Sequence, residues 1–250
     1  MIALHTNDTR RDLALSRASL HGLASLCFCR PDAEWEQRWR SLASCMGRIL
    51  CASPEAHAAG GALGETLASL LGCRTSLREL QSEHARVLGD SPRAGAMPYE
   101  TEWPDPAGDG LQLHRLEDIT AFYEAFGMDP RSIHGERADH VSIELEFLRF
   151  LCLKEAWAED RGLADLAAVC REMERVFLKD HLARWAGDFG ERAQALGRGG
   201  FHGTAARFLG AWIEDERRRL DAQPTEAFVE RVLVPRSGAL AAEAQSFPGR

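Results

Sequence analysis

Two features of this 250-residue chain predict an all-α fold. Apolar side chains recur at three- and four-residue spacing along most of its length, the period of a helix with one buried face. Runs that alternate polar and β-branched residues, the mark of a half-buried strand, are almost absent. At 45% hydrophobic and 27% charged residues the composition is that of an ordinary globular protein, long enough to bury one sizeable core. We expect a single helical domain over residues 1–235 with roughly nine to eleven helices, followed by a flexible tail over 236–250.

The elements follow in order. Residues 13–28 show helical recurrence through Leu13, Arg17, Leu20, Leu23, Ala24 and Cys27, and stop before Pro31, as helices do. A second helix restarts at Pro31-Asp32 and carries Trp39, Leu42, Met46 and Ile49. Leu63, Leu67, Leu70 and Leu71 mark a third, and residues 77–88, closed by Gly89, a fourth. Residues 90–110 form one long irregular segment between two helical halves, with Pro92, Pro98, Pro104 and Pro106. Its middle, Met97-Pro-Tyr-Glu-Thr-Glu-Trp103, is aromatic and acidic, so it reads as an ordered functional loop or as a linker. Ile119, Phe122, Tyr123 and Phe126 put core aromatics on a helix that Gly127 ends. A helix from Leu163 is expected to run unbroken through Phe177, His181 and Trp185 to Phe189. Another carries Phe208, Trp212 and Ile213 and is expected to dissolve at Glu214-Asp-Glu-Arg-Arg-Arg219, and a last one spans 224–235.

Residues 138–153 predict the central helix. From Val141 to Leu153, nine of thirteen residues are apolar, the exceptions being Ser142, Glu144, Glu146 and Arg149. At about 100° per residue, Ser142, Glu146 and Arg149 share one stripe, while Glu144 points into the opposite, apolar arc. A helix apolar nearly all round belongs in the interior, where a carboxylate needs a partner. His140, one turn earlier, is the expected partner, and Asp139 the expected N-cap. On this reading Glu144 holds His140 in one orientation, and Glu144→Gln costs stability or ligand affinity.

Charge and cysteines narrow the functional classes. A net charge of −8 and a pI near 5.6 disfavour nucleic acid and anionic membranes and suit a cationic partner. Seven scattered cysteines without a CxxC pair argue against a disulfide framework or thiolate zinc site and fit a reducing cytoplasm. No apolar run of about 18 residues is present to span a membrane. Thr9-Arg10-Arg11-Asp12-Leu13 looks like a twin-arginine export motif, but the following run is broken by Arg17 and His21 and reads as the first helix.

No catalytic motif stands out. Gly197-Arg-Gly-Gly200 is a poor phosphate loop, and no nucleophile elbow is present. His140, Glu144 and His181 could supply metal ligands on helices, which keeps a metal-dependent helical-bundle enzyme as the alternative reading. Yet no Glu-x-x-His spacing occurs, and the two histidines lie 41 positions apart. His181, on an apolar face with Phe177 and Trp185, reads as a core histidine ahead of a ligand.

Four segments carry a resemblance. Pro98-Tyr99-Glu100-Thr101-Glu102-Trp103, Ile119-x-x-Phe122-Tyr123-x-Ala125-Phe126-Gly127, Ala138-Asp139-His140-x-x-x-Glu144-Leu145-x-Phe147-Leu148 and Phe177-x-x-x-His181-Leu182-x-x-Trp185-x-x-x-Phe189 resemble, in order, the TorD/DmsD/NarJ family of molybdoenzyme chaperones. The P-Y-E-T-E-aromatic form is most like chaperones of type II dimethyl-sulfoxide-reductase-like enzymes. The resemblance implies one all-helical domain, no catalysis and no cofactor of its own. It implies binding, in the cytoplasm, of the twin-arginine signal peptide and apo form of a molybdenum-cofactor oxidoreductase until the cofactor is inserted. The chaperone would be a monomer or a dimer, and the long 90–110 segment leaves room for a domain-swapped one. The expected partner-binding residues are Tyr99, Glu100, Glu102, Trp103, Asp139, His140, Glu144 and His181. One departure from the family pattern is Gly135-Glu-Arg-Ala138, where several members have a proline.

Overall fold

The computed structural model describes residues 3–52, 61–89, 95–104, 112–130 and 135–222, with 3–8, 45–52 and 112 as backbone only. Nine α-helices make up most of these: α1 (Ala3–Phe28), α2 (Trp35–Ala52), α3 (Ala62–Gly72), α4 (Leu77–Val87), α5 (Gln112–Phe126), α6 (Val141–Asp160), α7 (Ala164–Asp180), α8 (Leu182–Gly197) and α9 (Phe201–Leu220). A 3₁₀ turn, Glu100–Glu102, lies between α4 and α5. The all-α expectation holds. The helix expected over 224–235 and the tail over 236–250 lie outside the described residues.

α1 begins well before Leu13, because residues 3–12 contain no glycine or proline and a nucleated helix extends at little cost. Arg10 and Arg11 therefore sit on a helical turn, with Arg11 bonded to Asp12 at 3.0 Å and Asp160 at 3.4 Å. α1 lies antiparallel along α6: Arg11 meets Asp160, Arg17 meets Glu155, and the Ser25 hydroxyl donates to the Ser142 carbonyl at 3.0 Å.

Arg17 and His21, which interrupt the apolar run in the sequence, are both buried in this seam. The Arg17 guanidinium donates from Nε to both Glu216 oxygens at 3.0 Å and from Nη1 to Glu155 at 3.2 Å, and it also holds Glu174. His21 lies 3.2 Å from Glu216 and accepts from Trp212 Nε1 at 3.2 Å. Arg171 adds bonds to Glu155 and Glu159 at 2.7 and 2.8 Å. A buried arginine costs several kcal/mol unless its donors are matched (roughly, by continuum reasoning). Here carboxylates from α6, α7 and α9 match them, so one α1 side chain ties four helices. Burial pushes the Glu174 carboxyl up to about 8, against the pull of Arg17.

Phe122, Tyr123, Phe147 and Phe177 form the predicted aromatic core, with Tyr123–Phe147 and Phe147–Phe177 centroids 4.9 and 4.8 Å apart. α9 does not dissolve at Glu214 but continues to Leu220. Arg217–Glu214 and Arg219–Asp215 pairs line its last turns, where cations also suit the negative end of the helix dipole. The turn from α8 to α9 is tight: a Cβ on Gly197 would overlap the Gly203 backbone. The N-terminus of α9 receives Glu83 from α4, which accepts from the Phe201 and His202 amides at 3.0 and 3.1 Å. The glycine run 197–200 thus precedes a helix end already capped by a carboxylate.

The expected unbroken helix through His181 is corrected. The chain leaves helical geometry there (φ −122°, ψ −95°) and restarts as α8. The apolar period stays in phase across the break, which is why the pattern hid it. The imidazole is instead turned toward the segment described next.

Candidate functional site

Residues 95–104 cross the N-terminal mouth of α6 as a strap. The Ala96 amide donates to Val87 O at the end of α4 at 2.7 Å. One antiparallel bridge then pairs Tyr99 with His140: Val141 N donates to Pro98 O at 2.8 Å and Glu100 N to Asp139 O at 2.9 Å. Trp103 Nε1 closes the strap on Met97 O at 2.8 Å. Arg115 of α5 donates to the Glu100 and Trp103 carbonyls, both at 3.4 Å. Prolines at 98 and 104 suit a backbone without regular ladder bonds, and these contacts satisfy what it leaves open.

Asp139 is fully buried. Its carboxylate accepts from the Thr101 amide (3.2 Å) and hydroxyl (2.7 Å), and from Arg137 Nε (3.0 Å) and Nη2 (2.7 Å). It does not cap α6. His140 does, its Nδ1 accepting from the Ser142 amide at 3.1 Å. Aspartate is the better capper by preference, but here the strap and Arg137 have taken its oxygens.

Glu144 does not pair with His140 either. His140 Nδ1 is spent on Ser142 and its ring lies edge-on to Tyr99 at 5.0 Å. Glu144 instead accepts from Trp185 Nε1 at 3.3 Å, and its second oxygen has no partner among the described residues. Burial, reinforced by Glu100 and Asp139, pushes its carboxyl well above the ordinary range. The neutral acid is therefore the form the fold favours.

His181 belongs to this site. Its Nδ1 lies 3.1 Å from Glu100 Oε2 and its Nε2 3.5 Å from Asp118 Oδ2, with its ring between Phe122 and Phe177. Burial alone would lower its pKa, but the charges and bonds of Glu100 and Asp118 outweigh it and push it up to about 9. The histidine bridges strap, α5 and the α7–α8 joint, and this accounts for the helix break.

The eight predicted residues come together in two layers. Glu100, Asp139, His140, Glu144 and His181 are buried, while Tyr99, Glu102 and Trp103 reach the surface above them. Trp103 rests on Trp185 and Phe189, with centroids 6.5 and 6.4 Å away. The Tyr99 hydroxyl donates to Glu136 at 3.0 Å, and burial followed by Glu136 pushes the phenol up to about 12. Arg137 lies 4.5 Å over the Tyr99 ring and 3.4 Å from Glu102. Sequence reasoning missed Thr101, Glu136, Arg137 and Trp185 as parts of the site. Thr101 and Trp185 stood inside the quoted motifs. Arg137 stood inside the one run noted as a departure.

His140, Glu144 and His181 turn to different partners and make no ligand set. Among the described residues no group of three or more His, Cys, Asp or Glu side chains is placed to hold a metal. No described helix is long and apolar enough to cross a membrane.

A family model described as the nitrate reductase delta subunit matches residues 52–191, a span that includes all eight predicted site residues. The chain belongs to this family. It is 35% identical over 127 residues to the chlorate reductase assembly chaperone protein of Ideonella dechloratans, covering 50% of this chain and 60% of that one. It is 36% identical over 120 residues to the selenate reductase assembly chaperone protein of Thauera selenatis, covering 48% and 58%. To the chaperone protein TorD of Photobacterium profundum it is 24% identical over 136 residues, covering 54% and 61%. The matched regions thus span about 60% of these relatives' lengths. The resemblance to TorD-type chaperones read from the four motifs is borne out. No solved structure matches at a significant level.

Proposed function

We propose that this protein is a cytoplasmic, non-catalytic assembly chaperone for a molybdenum-cofactor oxidoreductase. It binds the twin-arginine signal peptide of that enzyme's catalytic subunit and holds the apoenzyme until the cofactor is in place, delaying export. The names of the relatives, all chaperones and two of them for reductases, support the class. The higher identity to the chlorate and selenate reductase chaperones than to the TorD protein favours a client of the type II branch.

The observation that carries the binding site is the strap over the mouth of α6. It gathers Tyr99, Glu102, Trp103 and Glu136 around a fully buried Asp139. A twin-arginine signal offers two guanidiniums and then an apolar segment. Carboxylates take the first in charge-assisted bonds, and Tyr99 and Trp103 offer aromatic surface to the second. The net charge of −8 steers such a peptide in, more strongly at low salt.

Titration of the purified protein with a synthetic twin-arginine signal peptide tests this. Saturable binding is expected. It should weaken when the peptide's arginine pair becomes lysine and in Glu102→Gln. Binding indifferent to both changes would remove the site from these residues.

A further inference from the structure

The groups suited to a peptide arginine already hold one. The Arg137 guanidinium sets Nε and Nη2 against the two oxygens of Asp139 at 3.0 and 2.7 Å. Nη2 also donates to the Thr101 hydroxyl, at 2.6 Å, and Nη1 lies 3.4 Å from Glu102. Its carbon stands 4.5 Å over the Tyr99 ring. A carboxylate fork, a hydroxyl, a second carboxylate and an aromatic face together recognise a guanidinium and not an ammonium.

The two partners differ in placement. The Asp139 side chain is 0% exposed, whereas that of Arg137 is 47% exposed. The receptor belongs to the core and the guanidinium enters it from the surface. Asp139 also accepts from the Thr101 amide and hydroxyl, bonds that do not involve the arginine. The short arm that carries Arg137 begins at Gly135, whose φ of +67° is one that side-chain-bearing residues rarely adopt.

We infer that Asp139, Thr101, Glu102 and Tyr99 form a guanidinium receptor that Arg137 occupies in the free protein, and that an arginine of the incoming peptide replaces Arg137 there. This rests on the peptide-binding reading above. A tethered guanidinium competes at an effective concentration on the order of millimolar or more. Arg137 therefore lowers the apparent affinity for every peptide and leaves the receptor closed to free arginine. It also keeps a buried carboxylate paired while no client is present.

Three proteins and three probes test the exchange: wild type, Arg137→Ala and Arg137→Lys, each titrated with the twin-arginine peptide, its lysine counterpart and N-acetyl-arginine amide. Arg137→Lys keeps a cation near Asp139 and provides a folded comparison should the alanine variant unfold. The expected result is that the arginine peptide binds Arg137→Ala at least tenfold more tightly than wild type, with a smaller gain in Arg137→Lys. The lysine peptide should gain nothing. N-acetyl-arginine amide should raise the melting temperature of either variant saturably and leave that of wild type unchanged.

Saturable peptide binding that is equal in all three proteins overturns the exchange and leaves the peptide-binding reading standing. If no protein binds the peptide, that reading falls. The arginine-amide measurement then decides the receptor alone, and an absence of any shift in both variants overturns it.

Discussion

Glu100 and His181, 81 residues apart in the chain, meet at 3.1 Å with both side chains 1% exposed. Their contact fastens the strap to the joint between α7 and α8, and it ties the stability of the site to pH. His181 is pushed up to about 9 in the fold, against about 6.5 in an unfolded chain. Between those values the folded protein holds the extra proton. The stabilisation is complete below about pH 6.5 and is lost as pH rises through about 9.

Unfolding in urea should accordingly show stability falling from pH 6.5 to pH 9, by on the order of 3 kcal/mol for this group if fully expressed. In Glu100→Gln most of that slope should vanish. A slope unchanged by the substitution would mean that another group carries it.

Arg17 is the cation that Glu155, Glu174 and Glu216 share. Replacing it by methionine keeps volume but takes the cation from Glu174 and leaves Glu155 and Glu216 to Arg171 and Arg219. We expect a loss of about 3–5 kcal/mol, read as a lower denaturant midpoint. A loss under about 1 kcal/mol would mean that the cluster behaves like a surface pair.

Glu144→Gln now carries a different expectation from the one the helix pattern suggested. Burial, Glu100 and Asp139 favour the protonated acid at this position, and glutamine is its neutral likeness. Near pH 7 the variant should lie within about 1 kcal/mol of wild type. Because the raised carboxyl pKa makes the native state lose stability as pH rises above the ordinary glutamate value near 4.5 (roughly), the variant should gain on wild type towards alkaline pH. Glu144→Ala, which strands Trp185 Nε1 and leaves a cavity, should cost about 2–4 kcal/mol. Chemical denaturation at pH 5, 7 and 9 distinguishes these outcomes.

The helices were legible because the buried faces of Ile119–Phe126 and Val141–Leu151 repeat with the helical period, and a period survives without knowledge of neighbours. The site was legible only as a set of residues. Asp139 looked like a cap because capping is local. What takes its oxygens is Thr101, 38 positions away, and Arg137, whose role depends on that same bridge. Glu144 was correctly placed inside but given the nearest partner in sequence, when its bond goes to Trp185 on α8. The break at His181 left no mark in apolar spacing and contains neither glycine nor proline. It follows from a contact with Glu100 that no local pattern encodes.

The Arg17 cluster also sets an order of events during synthesis. Arg17 and Glu216 are separated by 199 residues, so at about 5–20 residues per second the ribosome delivers the acid some 10–40 s after the base. Until then α1 lacks one of its three carboxylate partners, and the others sit in helices still emerging. The pairing of α1 is therefore completed only when α9 arrives. While the chain is being made, Arg17 waits on α1 with Glu155 and Glu174 but without Glu216, and a truncation before α9 is expected to leave α1 more open to proteases than it is in the finished fold.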